Sequence, residues 1–313
     1  MYSILVTGGA GFIGSHIVHA LIKRGDHVRV IDNLSTGRVE NLSGRRGPLE
    51  IVEGDICNTT IVTQAMRGID YVFHQAAFVS VPKSMVDPQL CFDVNVQGTL
   101  NIFNAANNAG VQRVVLASST AVYGDSQAMP LIEETATRPL SPYAASKNVI
   151  EIYAGLYTRF PGIPVISLRY FNVYGPRQSP YSDYAAAIPI FIRRLLDKKA
   201  PIVYGNGHQS RDFIYVDDVV QANLLAAEAT SAAGEVFNVC TGKETSIIDL
   251  LESLSDIIPG CKAAEYAPAR AGDIYRSLGN PNRAAQVLGF QPQVSLYEGL
   301  SLTVKAMLKE RMN

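Results

Sequence analysis

Short runs of apolar, β-branched residues alternate with longer stretches of helical spacing through the first half of the chain. The strand candidates are SILVT (3–7), HVRVID (27–32), LEIVEG (49–54), DYVFHQA (70–76), RVVLASS (113–119) and PVISLRY (164–170). Between them, at 12–24, 59–67, 89–109 and 142–159, apolar residues recur at helical spacing. Alternation of this kind predicts βαβ units, and so an α/β fold with a parallel sheet covered by helices on both faces. The nearly unbroken apolarity of the strands fits that double burial. Beyond about residue 171 the rhythm fails, because Pro176, Pro180, Pro189, Pro201, Gly205 and Gly207 interrupt it. A helix at 216–229 and a strand at 235–240 are expected to return to the main sheet. The principal domain is therefore read as 1–170 plus returning segments near 210–240. Residues 171–209 and 241–313 read as a smaller α/β unit beside the sheet's C-terminal edge.

Composition narrows the partners. The chain has 313 residues, a net charge of −1, 47% hydrophobic and 18% charged residues. That describes an ordinary globular protein without a global field for nucleic acid or an anionic membrane, so neither partner is expected. The opening MYSILVTGG lacks the basic and apolar regions of a secretory signal. No apolar run approaches the roughly 20 residues needed to span a bilayer. Cys57, Cys91, Cys240 and Cys261 form neither a C-x-x-C pair nor a metal spacing, and are expected to be reduced thiols of a cytoplasmic protein. His16 and His19 share a helix face but have no accompanying carboxylate or cysteine set, so no metal is expected.

VTGGAGFIGSH sets Gly8, Gly11 and Gly14 between the first strand and the first helix. Glycines there permit a tight turn and let backbone N–H groups approach a pyrophosphate at the helix N-terminus. Asp32 closes the second strand, 18 residues beyond Gly14. A carboxylate at that point can accept hydrogen bonds from an adenosine ribose and would repel a 2′-phosphate, which favours NAD over NADP. Arg38 stands several residues past the strand end. Asp55 after the third strand can meet the adenine edge, and in the segment Gln75, Ala76, Ala77 the two alanines supply small residues where a backbone runs close to the cofactor.

SPYAASK at 141–147 places Tyr143 and Lys147 four residues apart at a helix start, on one face. One reading is an exposed surface pair. Another is chemical, since an ammonium beside a phenol lowers its pKa from about 10 toward neutrality and makes it a usable base.

With G-x-x-G-x-x-G, SSTAVYG at 118–124 and Y-x-x-x-K in this order, the chain resembles the extended short-chain dehydrogenase/reductase family. Its nearest likeness is to the nucleotide-sugar 4-epimerases of the UDP-glucose/UDP-N-acetylglucosamine type. The segments DVNVQGT (93–99), LRYFNVYGPRQ (168–178), SRDFIYVDD (210–218) and RAGD (270–273) extend the likeness over the whole chain. The resemblance implies a Rossmann-like doubly wound parallel sheet with a smaller C-terminal substrate-binding domain and tightly bound NAD. Tyr143 would remove the sugar C4 hydroxyl proton while NAD takes the C4 hydride, and Lys147 would hold the nicotinamide ribose and depress the Tyr143 pKa. Ser119 would relay the proton, with Ser118 beside it. Phe12, Ile13, Asn33, Ile56, Asn95 and Tyr170 complete the expected cofactor contacts.

On the substrate side the likeness assigns Arg211 and Arg270 to phosphate oxygens, Asn172 to the diphosphate and Asp273 to the uridine ribose. It puts Tyr204 near the uracil and Ser84 in the sugar-contacting loop. Ser277 falls where some members place a bulky tyrosine, and a serine leaves room for an N-acetyl group. Related dehydratases and decarboxylases carry an acid pair before V-Y-G, where this chain has Thr120 and Ala121. A UDP-glucuronate 4-epimerase, another NAD-dependent nucleotide-sugar oxidoreductase or dehydratase, and a non-catalytic NAD-binding sensor are the alternatives. Helices 89–109 and 142–159, with Leu100, Ile102, Phe103, Ile150, Ile152, Tyr153 and Leu156, are expected by resemblance to form a homodimer contact.

Overall fold

The computed structural model describes residues 1–44, 47–160, 162–180, 186–269 and 274–312. Its first half runs β1 (Ser3–Thr7), α1 (Phe12–Arg24), β2 (His27–Asp32), β3 (Leu49–Glu53), α2 (Thr59–Ala65) and β4 (Tyr71–His74). There follow α3 (Val81–Val86), α4 (Pro88–Phe92), α5 (Gly98–Ala109), β5 (Arg113–Ser119), α6 (Pro142–Arg159) and β6 (Val165–Tyr170). The second half adds β7 (Asn172–Tyr174), α7 (Ala187–Leu196), β8 (Ile202–Tyr204), β9 (Ser210–Arg211), β10 (Phe213–Tyr215), α8 (Val216–Glu228) and β11 (Val236–Val239). The last elements are β12 (Thr245–Ser246), α9 (Ile247–Ile257), β13 (Glu265–Ala267), β14 (Arg276–Ser277), α10 (Asn282–Leu288) and α11 (Leu296–Met312).

Seven strands form one parallel sheet in the order β3-β2-β1-β4-β5-β6-β11. The strand expected at 235–240 thus returns to the sheet against β6. Side chains alternate across each strand, so each strand feeds two cores. Ile4 and Val6 of β1 pack with Ile17, Val18 and Leu21 of α1 and with Val219, Ala222 and Ala226 of α8. Leu5 faces the other way, into a core with Val62, Ile102, Phe103, Ile150 and Ala154 from α2, α5 and α6. This is the doubly wound arrangement. Its strand order reverses between β1 and β4, and the crevice outside the C-terminal strand ends at such a reversal is where ligands bind in open α/β sheets.

A third core joins α7, α9 and α11 with β8 and β10 through Phe191, Ile192, Val203, Phe213, Leu250, Leu254 and Leu300. One segment departs from the expected division of the chain. Asn282–Leu288 lies in the stretch assigned to the smaller unit, yet Ala284, Leu288 and Phe290 bury in the core of the large sheet. A second departure concerns 89–109, expected as one helix. It is broken into α4, a π-helical turn at Asp93–Gln97, and α5. Thr99 donates its hydroxyl to the Asn95 carbonyl, 2.5 Å away, and the wider turn carries the Asn95 side chain inward. Helix α3 is too short, at six residues, to register as a period. Among the described residues no helix is long and apolar enough to cross a membrane.

Candidate active site

At the tip of β1 the chain passes so close to β4 that side chains are excluded. Gly8 has a φ of +65°, and a Cβ there would sit 2.7 Å from the Ala76 backbone nitrogen. A Cβ on Gly14 would lie 2.2 Å from the Gly8 carbonyl oxygen. Gly11 caps α1 without a side-chain acceptor, and the first helical bond is Ser15 N–H to Gly11 O at 3.1 Å. The N–H groups of Phe12, Ile13 and Gly14 therefore point out of a helix end with no acidic residue in its first turn. Such an end attracts an anion.

Asp32 is buried at the end of β2, with Oδ2 accepting from Ala10 N–H and Oδ1 from Leu34 N–H, both at 2.9 Å. A carboxylate has about four lone-pair positions, so two remain for a ligand hydroxyl. Further out, Asp55 accepts from the Asn33 carboxamide and from Cys57 N–H, each at 2.8 Å. Burial raises its pKa, but these two bonds, with a further contribution from the Cys57 side chain, outweigh burial and hold it below the usual carboxylate value. Ile56 puts its side chain into the core and offers its carbonyl to Asn101.

Across the reversal, Ser119 ends β5 and Tyr143 opens α6. The start of α6 is set by Ser141, whose hydroxyl accepts from Ala144 N–H at 3.1 Å, with Pro142 at the first helical position. Burial pushes the Tyr143 phenol above its ordinary pKa, while a hydrogen bond with Ser119 opposes this. One turn on, Lys147 is buried and donates to the Ala117 carbonyl at 2.8 Å. Burial lowers its pKa to about 8, with Cys91 and Glu151 opposing. Tyr143 and Lys147 thus share the helix face read from the sequence, but the expected lowering of the phenol by Lys147 is not found. The ammonium is drawn to Ala117, and desolvation governs both groups.

Several residues expected to touch ligand instead hold the site from behind. Ser84 is fully buried; its hydroxyl donates to Val81 O at 2.6 Å and accepts from Tyr143 N–H at 3.2 Å. It fixes the first turn of α6 rather than facing a sugar. The Ser118 hydroxyl donates to Glu151, inside the protein. Tyr170 turns its hydroxyl into a trio with Gln75 and Asn223, donating to Asn223 Oδ1 at 3.0 Å. The Asn95 carboxamide donates to Ser146 Oγ at 2.8 Å and to Phe78 O at 3.1 Å, and its oxygen accepts from Phe78 N–H at 2.7 Å. It ties the segment after Ala76 and Ala77 to α6.

His74 completes this support and was not singled out in the sequence. Its Nδ1 lies 2.7 Å from Thr7 Oγ1 and its Nε2 lies 2.9 Å from Thr99 Oγ1. The Thr99 proton is committed to Asn95 O, so Nε2 must donate; Thr7 then donates to Nδ1 and accepts from Ala76 N–H. The geometry fixes one neutral tautomer. Burial, with Lys147 nearby, lowers the His74 pKa to about 3.

On the smaller unit, Arg211 of β9 lies in register with Ser277 of β14 in a three-stranded sheet, β12-β9-β14. Glu244 clamps this sheet: it accepts from Ser210, and from Arg276 at 2.8 and 2.6 Å, which holds it down to about 2. Asn172 of β7 reaches the same region, with its N–H bonded to Asp212 O at 3.0 Å. Its carboxamide oxygen is buried without a partner among the described residues. Buried Asp212, next to Arg211, leaves no signal in the sequence; it gathers Thr241 N–H, Thr241 Oγ1 and Gly242 N–H within 2.9 Å. Tyr204 ends β8, partly exposed. Arg270 and Asp273 lie outside the described residues.

The profile of the NAD dependent epimerase/dehydratase family matches residues 4–240. UDP-glucose 4-epimerase of Mycolicibacterium smegmatis is 40% identical over 305 residues, covering 96% of this chain and 97% of that protein. The UDP-N-acetylglucosamine 4-epimerase of Methanobrevibacter ruminantium, solved with UDP-N-acetylmuramic acid, superposes with a TM-score of 0.95 at 40% identity over 99% of both chains. UDP-glucose 4-epimerase of Thermotoga maritima, solved with UDP-glucose, gives 0.94 at 40% identity, again over 99% of both.

The buried His74 makes a testable demand. The unfolded chain binds its proton below about pH 6.5, the folded chain only near pH 3, so stability that is full above 6.5 is lost as pH falls. The loss from this residue approaches 1.4 kcal/mol per pH unit, or about 2 kcal/mol at pH 5. Urea titrations at pH 7 and pH 5 should show a smaller difference for His74→Gln than for the parent; equal differences would contradict the buried neutral imidazole.

Proposed function

The chain belongs to the NAD dependent epimerase/dehydratase family, and we propose that it interconverts the C4 epimers of UDP-hexoses through a transient 4-keto sugar, using tightly bound NAD. Its substrates on this reading are UDP-glucose with UDP-galactose, and UDP-N-acetylglucosamine with UDP-N-acetylgalactosamine. The observation that carries the reading is the convergence of Ser119 at the end of β5 with Tyr143 and Lys147 on one face of α6, at the strand ends where the glycine cradle also opens.

The residues present fit the cofactor. Gly8, Gly11 and Gly14 leave room where any Cβ would intrude, the N-terminus of α1 would meet the pyrophosphate, and the Asp32 carboxylate would take the adenosine ribose hydroxyls. When bound, NAD supplies a reversible hydride acceptor and a positive nicotinamide ring. Tyr143 would take the C4 hydroxyl proton, with Ser119 sharing it, and Lys147 would hold the nicotinamide ribose. A positive charge beside the phenol would offset the burial that now raises its pKa. With hydride acceptance and return supplied by bound NAD, a planar ketone that turned within the site would invert C4 and consume no outside oxidant. Arg211 and Arg270 bind the diphosphate, and the unpartnered Asn172 carboxamide is satisfied by ligand there. Thr120 and Ala121 offer no acid–base pair for elimination.

Ile102, Phe103 and Ile150 are used in the chain's own core, but Leu90 and Phe92 of α4 and Ile152 and Leu156 of α6 are exposed. We assign this apolar face to a homodimer contact. The free thiols suit a reducing cytoplasm, where fractionation should recover the protein.

Purified protein incubated separately with UDP-glucose, UDP-N-acetylglucosamine and UDP-glucuronate, with no NAD added, should yield the C4 epimers of the first two. Turnover of the glucuronate alone would replace the substrate assignment. Tyr143→Phe should cut turnover by about 10²–10⁴-fold while NAD stays bound; retained turnover would remove Tyr143 as the base. Ser277→Tyr should abolish the acetamido reaction and spare the glucose pair by steric exclusion, and loss of both together would show that Ser277 does not set the C2 preference. Leu156→Glu combined with Ile152→Glu should shift the sedimenting species from dimer to monomer; an unchanged mass would place the interface elsewhere.

A further inference from the structure

Beneath the Tyr143–Lys147 turn lies a buried ion pair that the reaction as described does not use. Glu151 follows Lys147 by one further turn of α6 and is 8% exposed; Arg169, the penultimate residue of β6, is 5% exposed. The guanidinium grips the carboxylate with two bonds, Nε to Oε1 at 2.9 Å and Nη2 to Oε2 at 2.7 Å. Oε1 also accepts from Ser118, which stands between Ala117, the acceptor of Lys147, and Ser119. On its far side Arg169 donates to Tyr123 OH at 2.8 Å and to Glu133 O at 3.1 Å. Tyr123 in turn donates to Asn238 Oδ1 at 2.7 Å. One carboxylate thus joins α6, β5 and β6 where all three present the site.

Cys91 faces Lys147 from α4, His74 from β4, and Tyr143 and Glu151 from its own helix, with Arg169 of β6 behind Glu151. His74 is neutral, and burial pushes the Cys91 and Tyr143 protons to stay on. Glu151 is the one carboxylate among these groups. Replacing it by a neutral residue leaves two buried cations; arginine cannot shed a proton in a protein, whereas lysine can.

We propose that Glu151 is a positioning residue that keeps the Lys147 ammonium charged and anchors, through Ser118, the strand end that presents Ser119, with Arg169 setting how much of its charge Lys147 feels. The proposal rests on the reading of Ser119, Tyr143 and Lys147 as the reacting set.

The test is the pH dependence of kcat for the NAD-containing protein, with KM for the UDP-sugar measured alongside. Glu151→Gln should move the alkaline limb to lower pH by about one unit, a tenfold loss at pH values above the limb. Arg169→Gln leaves the carboxylate unshared and should move that limb to higher pH, and KM should change little in either variant. A merely structural pair would lower activity without moving the limb, so unmoved limbs, or shifts of the same sign, would overturn the proposal. Failure of both variants to fold would assign the pair to stability and overturn it too. An absence of turnover in the unmutated protein would instead refute the catalytic reading on which the proposal stands.

Discussion

The site depends on main chain packed against main chain at the tips of β1 and β4. Gly8 touches the Ala76 backbone and Gly14 touches Gly8, with no room for a methyl group at either contact. That closeness opens a helix end with bare N–H groups beside the strand reversal, where an open parallel sheet parts to admit a ligand. The neutral His74 bridge secures the arrangement from inside, because Thr7 holds Ala76 N–H while Thr99 holds Asn95 O. Loop, strand end and π-helical turn are thereby joined through one imidazole. The turn in α4–α5 is part of the same device, since it directs the Asn95 carboxamide onto Ser146 of α6.

Desolvation sets the electrostatics of the other side. It raises Tyr143, lowers Lys147 and keeps His74 uncharged. In a water-poor site each remaining charge acts over a longer range than it would at the surface. Protein groups alone do not bring the phenol into the range of a base at neutral pH. On the proposed reading, the positive ring of bound NAD would be the complementary piece, and the acid–base behaviour of Tyr143 would belong to the assembled holoenzyme.

The sheet was legible in the sequence because parallel strands buried on two faces must be apolar throughout, and helices between them must repeat every three to four residues. The glycine cradle was legible because only glycine tolerates such an approach, and Asp32 because it closes the strand. Direction was harder to read. Ser118 and Ser119 are adjacent and chemically identical, yet one hydroxyl donates to Glu151 and the other accepts from Ala121 N–H. Ser84 and Tyr170 sit in the right segments but turn their hydroxyls inward, which depends on packing between distant elements. Glu151 and Arg169 did leave a trace: an arginine inside the apolar run VISLRY, and a glutamate one turn from Lys147. A charge in a buried strand asks for a partner, and the spacing on α6 supplies it.

The C-terminal path of the chain has its own consequence. After building most of the smaller unit it sends Ala284, Leu288 and Phe290 back onto the large sheet, then leaves again as α11 for the other core. A fragment severed after residue 170 would leave β6 as a raw edge, stripped of β11 and of the Phe237 and Phe290 rings that cover its neighbours. The two halves are woven rather than appended, and dissecting them would yield sticky, incomplete pieces instead of independent modules.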